Sequence, residues 1–155
     1  MLGLSLTQPW ATLVATGAKT IETRSWSTAH RGLIAIQAAK GFPADCRALC
    51  WRTPFAQALI EAGFDRAEQL PRGAIVAVAH LLHVAPIEHF VHGRLPHALV
   101  AREFAFGDFT PGRFGWVLGD IRRLREPIPC KGALGLWKVP ADVAMVIAAE
   151  LGRAA

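Results

Sequence analysis

The sequence lacks the features of a secreted or membrane-spanning protein. Its three cysteines are an odd number, which does not suit the disulfide framework of a small secreted domain. The longest apolar run, residues 74–82, contains a histidine and is far shorter than the ~18 residues that cross a bilayer. The N-terminus has no basic segment, and Gln8-Pro9 stands where a signal sequence would be apolar. We therefore expect a cytoplasmic protein with free cysteines and no membrane partner.

Acidic residues are also scarce. There are 12 of them against 17 Lys and Arg, so the formal net charge is +5 at pH 7. The excess lies in two segments: residues 1–40 hold four basic residues and one acidic, and residues 111–138 hold six basic and two acidic. If the fold joins these segments, they form a basic surface suited to phosphates. The alternative is that solvated arginines keep the protein soluble.

The rest of the composition is that of one folded domain. A chain of 155 residues with 52% hydrophobic and 19% charged residues can bury a core, and it is not a disordered chain. No internal repeat, linker or low-complexity tract divides the sequence. We therefore predict a single domain over residues 1–155.

Apolar periodicity predicts the element order β-α-β-β-α-α-β, an insertion, then β-β-α. The predicted strands cover residues 2–7, 20–26, 33–39, 74–84, 114–124 and 135–139, and the predicted helices cover 9–17, 43–50, 54–63 and 140–151. Strand 74–84 is expected to be buried on both faces, and the last helix to turn Val143, Val146 and Ile147 inward. Because strands and helices do not alternate regularly, a doubly wound parallel sheet is not expected. Glycines and bends in the later strands favour a small closed or half-closed barrel with helices at its rim.

The segment at residues 17–24 places three charged side chains among apolar neighbours. Side chains alternate along a strand, so Glu22 and Arg24 share one face, about 6–7 Å apart, with Trp26 beside them. Lys19 lies at the turn where the strand begins. A Lys and an Arg can hold phosphate or carbonyl oxygens, and a Glu between them can accept a hydrogen bond from the exocyclic amine of a base. The alternative is a Glu–Arg pair that braces the mouth of the barrel.

Neighbouring residues extend this predicted ligand site. Trp10 or Trp26 is suited to stack on a base. Gln8 lies where the first strand gives way to the first helix, so its amide and the free helix N–H groups are expected to face the same cleft. Ordinary helix capping is the alternative for Gln8.

The same residues also permit an enzymatic interpretation. Lys19 could act as a base toward water, with Glu22 orienting it, and such a site would hydrolyse an amide without a metal. The sequence allows this catalytic role for Lys19 and Glu22 but does not require it.

A second basic cluster comprises Arg122, Arg123 and Arg125, with Lys131 nearby. We predict it as a phosphate or nucleic-acid patch. On a strand Arg122 points to one side and Arg123 and Arg125 to the other, so they cannot all contact one phosphate track. A solvated charged face is the alternative.

Metal chemistry is not predicted. His80 and His83 lie three apart on a strand and so point to opposite faces, and no close cysteine or carboxylate set completes a metal site around the remaining histidines. The Cys46-x-x-x-Cys50 spacing is typical of helix core rather than of a ligand or a nucleophile. We expect no metal and no cofactor.

Both ends of the chain resemble ASCH domains (activating signal cointegrator homology). The opening carries L-S-L at residues 4–6, Q-P-W at 8–10 and the hallmark G-x-K-x-x-E-x-R at 17–24. The closing strands carry F-G-W-V-L at residues 114–118 and P-I-P-x-x-G-x-x-G-x-W at 127–137. The likeness covers roughly residues 2–139, and its middle helices are the least diagnostic part.

The resemblance implies an α+β fold, a small mixed PUA-like β-barrel with flanking helices, that binds single-stranded RNA, a nucleoside or a nucleotide. It places Lys19, Glu22 and Arg24 in a cleft between the first helix and the barrel. Small bacterial members of the superfamily are amidohydrolases on N4-acylated cytidines, but they carry a Thr where Glu22 stands. Other members are ribonucleases. A protein-interaction module using exposed Trp residues and the insertion at residues 88–112 is a third alternative.

Overall fold

A single mixed sheet organises the protein, for which a computed structural model describes residues 1–93 and 97–153. Its strands are β1 (Leu2–Leu6), β2 (Ile21–Arg24), β3 (Gly32–Ala38), β4 (Ala74–Pro86), β5 (Phe114–Pro129) and β6 (Leu136–Lys138). They lie in the order β2-β5-β4-β3-β1-β6. The pair β1–β3 is parallel, and the other neighbouring strands are antiparallel.

Two long strands curl the sheet into a half-barrel. The structure extends β4 and β5 beyond their predicted ends, and register shifts at three places bend them against each other. Strand β2 lies at one edge and β6 at the other, so the barrel is open between them. The predicted α+β architecture, a half-closed barrel with flanking helices, is confirmed.

In the described part of the chain, six α-helices flank the sheet, and a 3-10 helix spans Ala67–Gln69. The α-helices are α1 (Trp10–Ala15), α2 (Ala44–Leu49), α3 (Phe55–Glu61), α4 (Glu88–Val91), α5 (His97–Phe106) and α6 (Ala141–Arg153). Helices α4 and α5 lie within the predicted insertion, of which residues 94–96 fall outside the described part of the chain. Within the described ranges, none of these helices combines the length and apolar character needed to span a membrane.

The main core lies between α1 and the sheet. It contains Val14 from the helix, Ile34 and Ile36 from β3, and Trp116 from β5. A second cluster joins α1 to α3 and α5, and a third packs α6 against the opposite side of the sheet. Because helices cover both sides of the first half of β4, residues 74–79 are buried on both faces, whereas the second half is partly exposed.

One packing prediction in α6 is wrong. Val143 and Ile147 face the sheet as predicted, but the Val146 side chain is 52% exposed. The buried stripe follows the spacing of Val143, Ile147 and Leu151, at i, i+4 and i+8. Val146 lies about 100° around the helix from Ile147 and therefore faces solvent.

Candidate functional site

The candidate site begins at the turn between α1 and β2. Gly17 adopts a φ of 75°, a conformation that favours glycine, and ends the first helix as predicted. The Lys19 N–H then donates to the Leu13 carbonyl at 3.0 Å, which folds the chain back toward the sheet. Strand β2 pairs antiparallel with β5, so that Glu22 lies opposite Trp116. This local geometry places three charged side chains, Lys19, Glu22 and Arg24, on the turn and strand that follow α1.

Lys19, Glu22 and Arg24 form one ion-pair network. Lys19 Nζ lies 3.3 Å from Glu22 Oε2, and Arg24 Nε lies 3.3 Å from Glu22 Oε1. Lys19 also donates to the Ile21 carbonyl, and Arg24 Nη2 donates to the Ser5 carbonyl at 2.7 Å. The network is largely removed from water, since Lys19 is 1% exposed and Glu22 9%. Each cation therefore depends on the shared carboxylate for charge compensation.

Arg24 retains capacity for a further contact. Its Nε is buried and close to Glu22, yet it makes no properly aligned hydrogen bond with any residue that the structure describes. A guanidinium has five N–H donors and is suited to carboxylate and phosphate oxygens. Because the Arg24 side chain is 24% exposed, its outer donors can bind an anionic or carbonyl oxygen without giving up the contact with Ser5.

The network forms the shared wall of a cleft with two lobes. The Lys19 lobe has a volume of about 450 Å³, and the Arg24 lobe has a volume of about 290 Å³. Trp10, Glu22, Thr23 and Arg113 line both lobes. Glu22 thus lies between the two lobes with one cation on each side.

The second wall of the cleft comes from the predicted insertion and the residues after it. Arg113 Nη2 donates to the Thr23 carbonyl at 3.2 Å, and Arg113 Nε lies 3.4 Å from Asp108 Oδ2. Hydrogen bonds from the Thr110 side chain and backbone, with a smaller contribution from Arg113, lower the pKa of Asp108. Arg113 therefore adds a third cation to the cleft and is held in place by an ionised rim carboxylate.

A buried glutamate from α5 anchors the start of β2. Glu103 is 2% exposed, and its Oε1 accepts hydrogen bonds from the Thr20 N–H at 2.6 Å and the Thr20 hydroxyl at 2.7 Å. Its Oε2 accepts from the Ile21 N–H at 3.2 Å.

Sequence reasoning missed Glu103, Asp108 and Arg113 because they lie in or next to a segment without clear periodicity. No sequence signal marked Glu103 as buried.

Two indoles border the cleft. Trp10 lines both lobes and is held by a hydrogen bond from Nε1 to the Phe106 carbonyl at 2.6 Å. Trp26 lines only the Arg24 lobe, where it packs edge-to-face on Trp116 with ring centroids 4.6 Å apart. Both are half-buried, so each retains an exposed part of its ring system. The cleft thus combines cations, two carboxylates and aromatic surface.

Comparison with known proteins identifies the family. The ASCH domain matches residues 4–118, which include the whole Lys19–Glu22–Arg24 network. The chain belongs to the ASCH domain family. The closing motif at residues 127–137 lies beyond the matched range.

The likeness to solved ASCH structures covers nearly the whole chain. The ASCH protein of Zymomonas mobilis is 14% identical with a TM-score of 0.53, covering 96% of this chain and 93% of that chain. A tyrosine-to-phenylalanine variant of it is also 14% identical with a TM-score of 0.53, covering 95% and 96% respectively. This similarity establishes the PUA-like fold and assigns no residue roles. The curated proteins gave no match.

Gln8 does not line either lobe of the ASCH cleft. It is completely buried, its Oε1 accepts from the Thr12 N–H at 3.1 Å, and its Nε2 donates to the Pro71 carbonyl at 2.7 Å. Both ends of the amide are therefore engaged within the protein. The structure places Gln8 in the capping role that the sequence offered as the alternative.

The second basic cluster is divided among different surfaces of the ASCH domain. Arg123 and Arg125 line a separate depression of about 240 Å³, where the Arg123 guanidinium lies 5.2 Å from the Phe64 ring centroid. Exposed Arg122 lies opposite Val78 in β4 and does not line that depression. Lys131 lines a third cavity, between β3 and the loop before β6. The structure does not bring these four residues together at the cleft.

The thiols and histidines offer little reactive chemistry. Burial raises the pKa of Cys50, whose side chain belongs to the cluster beneath α3. Burial is also the main reason that the pKa of Cys46 is raised. Among the described side chains, no three His, Cys, Asp or Glu residues converge closely enough to hold a metal ion.

Proposed function

We propose that this ASCH domain binds single-stranded RNA or a modified nucleoside in the two-lobed cleft. The observation that carries the proposal is the buried Lys19–Glu22–Arg24 network in the wall shared by both lobes. Removing charges from water costs several kcal/mol per ion unless pairing compensates it, and apolar residues of similar volume often serve stability as well or better. A charged network bordering an open cleft is therefore better explained by ligand binding than by packing.

Each group at the cleft has a counterpart in a nucleotide. Arg24 and Arg113 carry guanidinium donors suited to phosphate or carbonyl oxygens. Glu22 can accept a hydrogen bond from an exocyclic amine of the kind that cytosine and adenine present. Trp10 and Trp26 offer aromatic surface for base stacking, which contributes ~1–3 kcal/mol per base. These complementary groups favour a nucleobase ligand over a simple anion.

An affinity measurement with a matched charge control tests the proposal. Arg24→Gln should weaken binding of a short single-stranded RNA about 10- to 100-fold, because a charge-assisted hydrogen bond contributes about 1.5–3 kcal/mol. Arg66→Gln removes the same charge from an exposed site away from the cleft, and it should change affinity less than about twofold. Equal losses in the two variants would contradict the proposal. The wild-type affinity should also fall steeply with salt.

Amide hydrolysis at the same cleft is the second candidate function. The 3.3 Å contact between Lys19 Nζ and Glu22 Oε2 favours it, since a Lys–Glu pair can exchange protons with a substrate or water. Lys19 Nζ, however, faces two oxygens, Glu22 Oε2 and the Ile21 carbonyl, which is the arrangement of a donor. We therefore place binding ahead of catalysis.

Incubation with N4-acetylcytidine separates the two functions. If the domain only binds, no cytidine accumulates while the nucleoside still displaces RNA. Deacylation that disappears in Lys19→Met would establish the hydrolase instead. Deacylation that persists unchanged in Lys19→Met would exclude Lys19 as its base.

A further inference from the structure

The cavity that Lys131 lines shares Ser5 with the Arg24 lobe of the cleft. The β5–β6 cavity, about 940 Å³, is bordered by Ser5 and Gln37 in the sheet, by Lys40 after β3, and by the loop that joins β5 to β6. That loop contributes Lys131, and also Leu134, whose side chain is 98% exposed. The cavity is larger than either lobe of the cleft, and the proposed function does not use it.

Gln37 presents an unsatisfied acceptor at this cavity. It is 2% exposed, and its Nε2 donates to the Cys130 carbonyl at 3.1 Å. That bond fixes the orientation of the amide, because an inverted amide would place two oxygens against each other. Gln37 Oε1 then has no donor among the residues that the structure describes. A buried acceptor without a partner costs about 1–3 kcal/mol, so a ligand donor there would be favourable.

Glycine lets the loop before β6 pass close to this acceptor. A Cβ at Gly132 would overlap both Ser5 Oγ and Gln37 Oε1. Only a residue without a side chain therefore fits where the loop packs against the two oxygens. Ser5 and Gln37 are register partners in the parallel β1–β3 pair, so both oxygens are held by the sheet.

The remaining walls combine positive charge with apolar surface. Lys40 and Lys131 are exposed, neither forms an ion pair with the described residues, and no acidic residue lines the cavity. Pro129 and Leu134 supply apolar surface. Burial raises the pKa of the Cys130 thiol, so Cys130 contributes a wall rather than a nucleophile. A hydrogen-bond acceptor, two cations and apolar surface together complement a base that carries a phosphate.

Ser5 connects this cavity with the cleft. Its backbone carbonyl accepts a hydrogen bond from Arg24, and its hydroxyl oxygen accepts one from Trp137 Nε1 at 3.1 Å. The same residue lines both the Arg24 lobe and the β5–β6 cavity. A ligand that occupied both cavities would therefore pass Ser5.

We propose that the β5–β6 cavity is a second nucleotide site, in which the base donates a hydrogen bond to Gln37 Oε1 and the phosphate lies near Lys40 and Lys131. Its role as a continuation of an RNA path rests on the proposed function of the cleft. Its capacity to bind a free nucleotide does not. The two ideas can therefore fail separately.

Indole N–H resonances allow both sites to be followed in one experiment. The ¹⁵N-labelled domain is titrated with cytidine 5′-monophosphate, cytidine, inorganic phosphate and a short oligocytidylate. Trp137 Nε1–H and the Gln37 side-chain amide report on the β5–β6 cavity, and Trp10 and Trp26 report on the cleft. We expect cytidine 5′-monophosphate to shift the Trp137 and Gln37 signals at lower concentration than cytidine or phosphate alone.

Exposed lysines provide the variant and its control. Lys131→Ala should weaken the nucleotide response at Trp137 about three- to tenfold, as expected for the loss of one ordinary hydrogen bond from a solvent-exposed side chain. Lys138→Ala removes the same charge from an exposed position that does not line the cavity, and it should have less than a twofold effect. Equal effects of the two variants, or equal binding of phosphate and nucleotide, would overturn the second site.

The pattern of responding indoles separates this inference from the proposed function. If Trp10 and Trp26 respond to oligocytidylate while Trp137 and Gln37 do not, the second site is wrong and the cleft remains. If Trp137 and Gln37 respond to the mononucleotide while Trp10 and Trp26 ignore every probe, the second site stands and the cleft proposal fails. If oligocytidylate binds much more tightly than the mononucleotide and all four reporters shift, RNA is the source of the nucleotide.

Discussion

Two buried glutamates near the start of β2 have opposite surroundings. Glu22 is compensated by two cations, Lys19 and Arg24, and it lines both lobes of the cleft. Within the part of the chain that the structure describes, Glu103 receives only neutral donors, the N–H groups of Thr20 and Ile21 and the Thr20 hydroxyl, and it lines neither lobe. The two carboxylates thus lie close to the same strand but are stabilised in different ways.

This difference separates a structural anchor from a group available to a ligand. Glu103 uses both oxygens on backbone and side-chain donors of β2, which links α5 to the strand and positions the wall of the cleft. Glu22 is held by two side-chain cations rather than by backbone donors, and it lines the open cleft, so a ligand there can compete for its oxygens. We therefore expect changes at Glu103 to act on stability and changes at Glu22 to act on both stability and binding.

The largest effect should come from removing the shared carboxylate. Glu22→Ala leaves buried Lys19 and its neighbour Arg24 without compensation, and it should lower the free energy of unfolding by about 3–5 kcal/mol in a urea titration. The double variant Lys19→Met/Glu22→Ala should recover part of that loss, since it removes the uncompensated buried charge. If the double variant is less stable than Glu22→Ala, the charge explanation is wrong.

Loss of the anchor should be nearly as severe for stability. Glu103→Ala leaves the N–H groups of Thr20 and Ile21 without their acceptor, and we expect a loss of about 2–4 kcal/mol on unfolding. Glu103→Gln keeps one acceptor oxygen but turns an NH₂ group toward a donor, so it should lose about half as much. At temperatures where Glu103→Gln is folded, its RNA affinity should stay within about twofold of wild type. A selective loss of affinity with unchanged stability would instead place Glu103 among the ligand-binding groups.

A smaller effect is expected for a single donor of the anchor. Thr20→Val preserves the shape of the side chain but removes the hydroxyl that donates to Glu103, and it should cost about 1 kcal/mol in thermal or urea unfolding. The matched change Thr16→Val removes a hydroxyl that donates within α1, to the Thr12 carbonyl. In a Glu103→Gln background, the cost of Thr20→Val should change and that of Thr16→Val should not. Identical behaviour of the two threonines would refute a specific Thr20–Glu103 coupling.

The smallest effect concerns the rim carboxylate Asp108. Its pKa is lowered in the folded protein, so it contributes stability above its ordinary pKa near 3.8, and that contribution disappears as the pH falls toward the folded value. Because the side chain is half exposed, the contribution should be below about 1 kcal/mol. Asp108→Asn should therefore lower the free energy of unfolding by this full contribution between about pH 5 and pH 7, and its difference from wild type should vanish as the pH falls below the folded pKa. A stability difference that grows as the pH rises above 7 would contradict this assignment.

The sequence alone determined the first wall of the cleft, because its geometry is local. A glycine ends α1, a strand begins two residues after Lys19, and the period of two places Glu22 and Arg24 on one face. Glycines and bends in the later strands also favoured a small closed or half-closed barrel, and the ASCH resemblance implied its α+β, PUA-like form. The same local reasoning could not decide the role of Gln8. Helix capping and lining of the cleft are both compatible with the position of Gln8 in the sequence. Only the Pro71 carbonyl beside its amide decides for capping.

Only the tertiary structure decided what faces that wall. Glu103 and Arg113 lie some 80–90 residues along the chain from the groups they contact, and no periodicity in residues 88–112 predicted those contacts. The β5–β6 cavity likewise depends on the parallel β1–β3 pairing that sets Ser5 beside Gln37 and on a loop that approaches them at Gly132. Helix ends and strand faces follow from neighbouring residues, whereas partners across the sheet are chosen by burial and hydrogen bonding of the whole chain. The charged segment at residues 17–24 could therefore be recognised from sequence, but the cleft it completes could not.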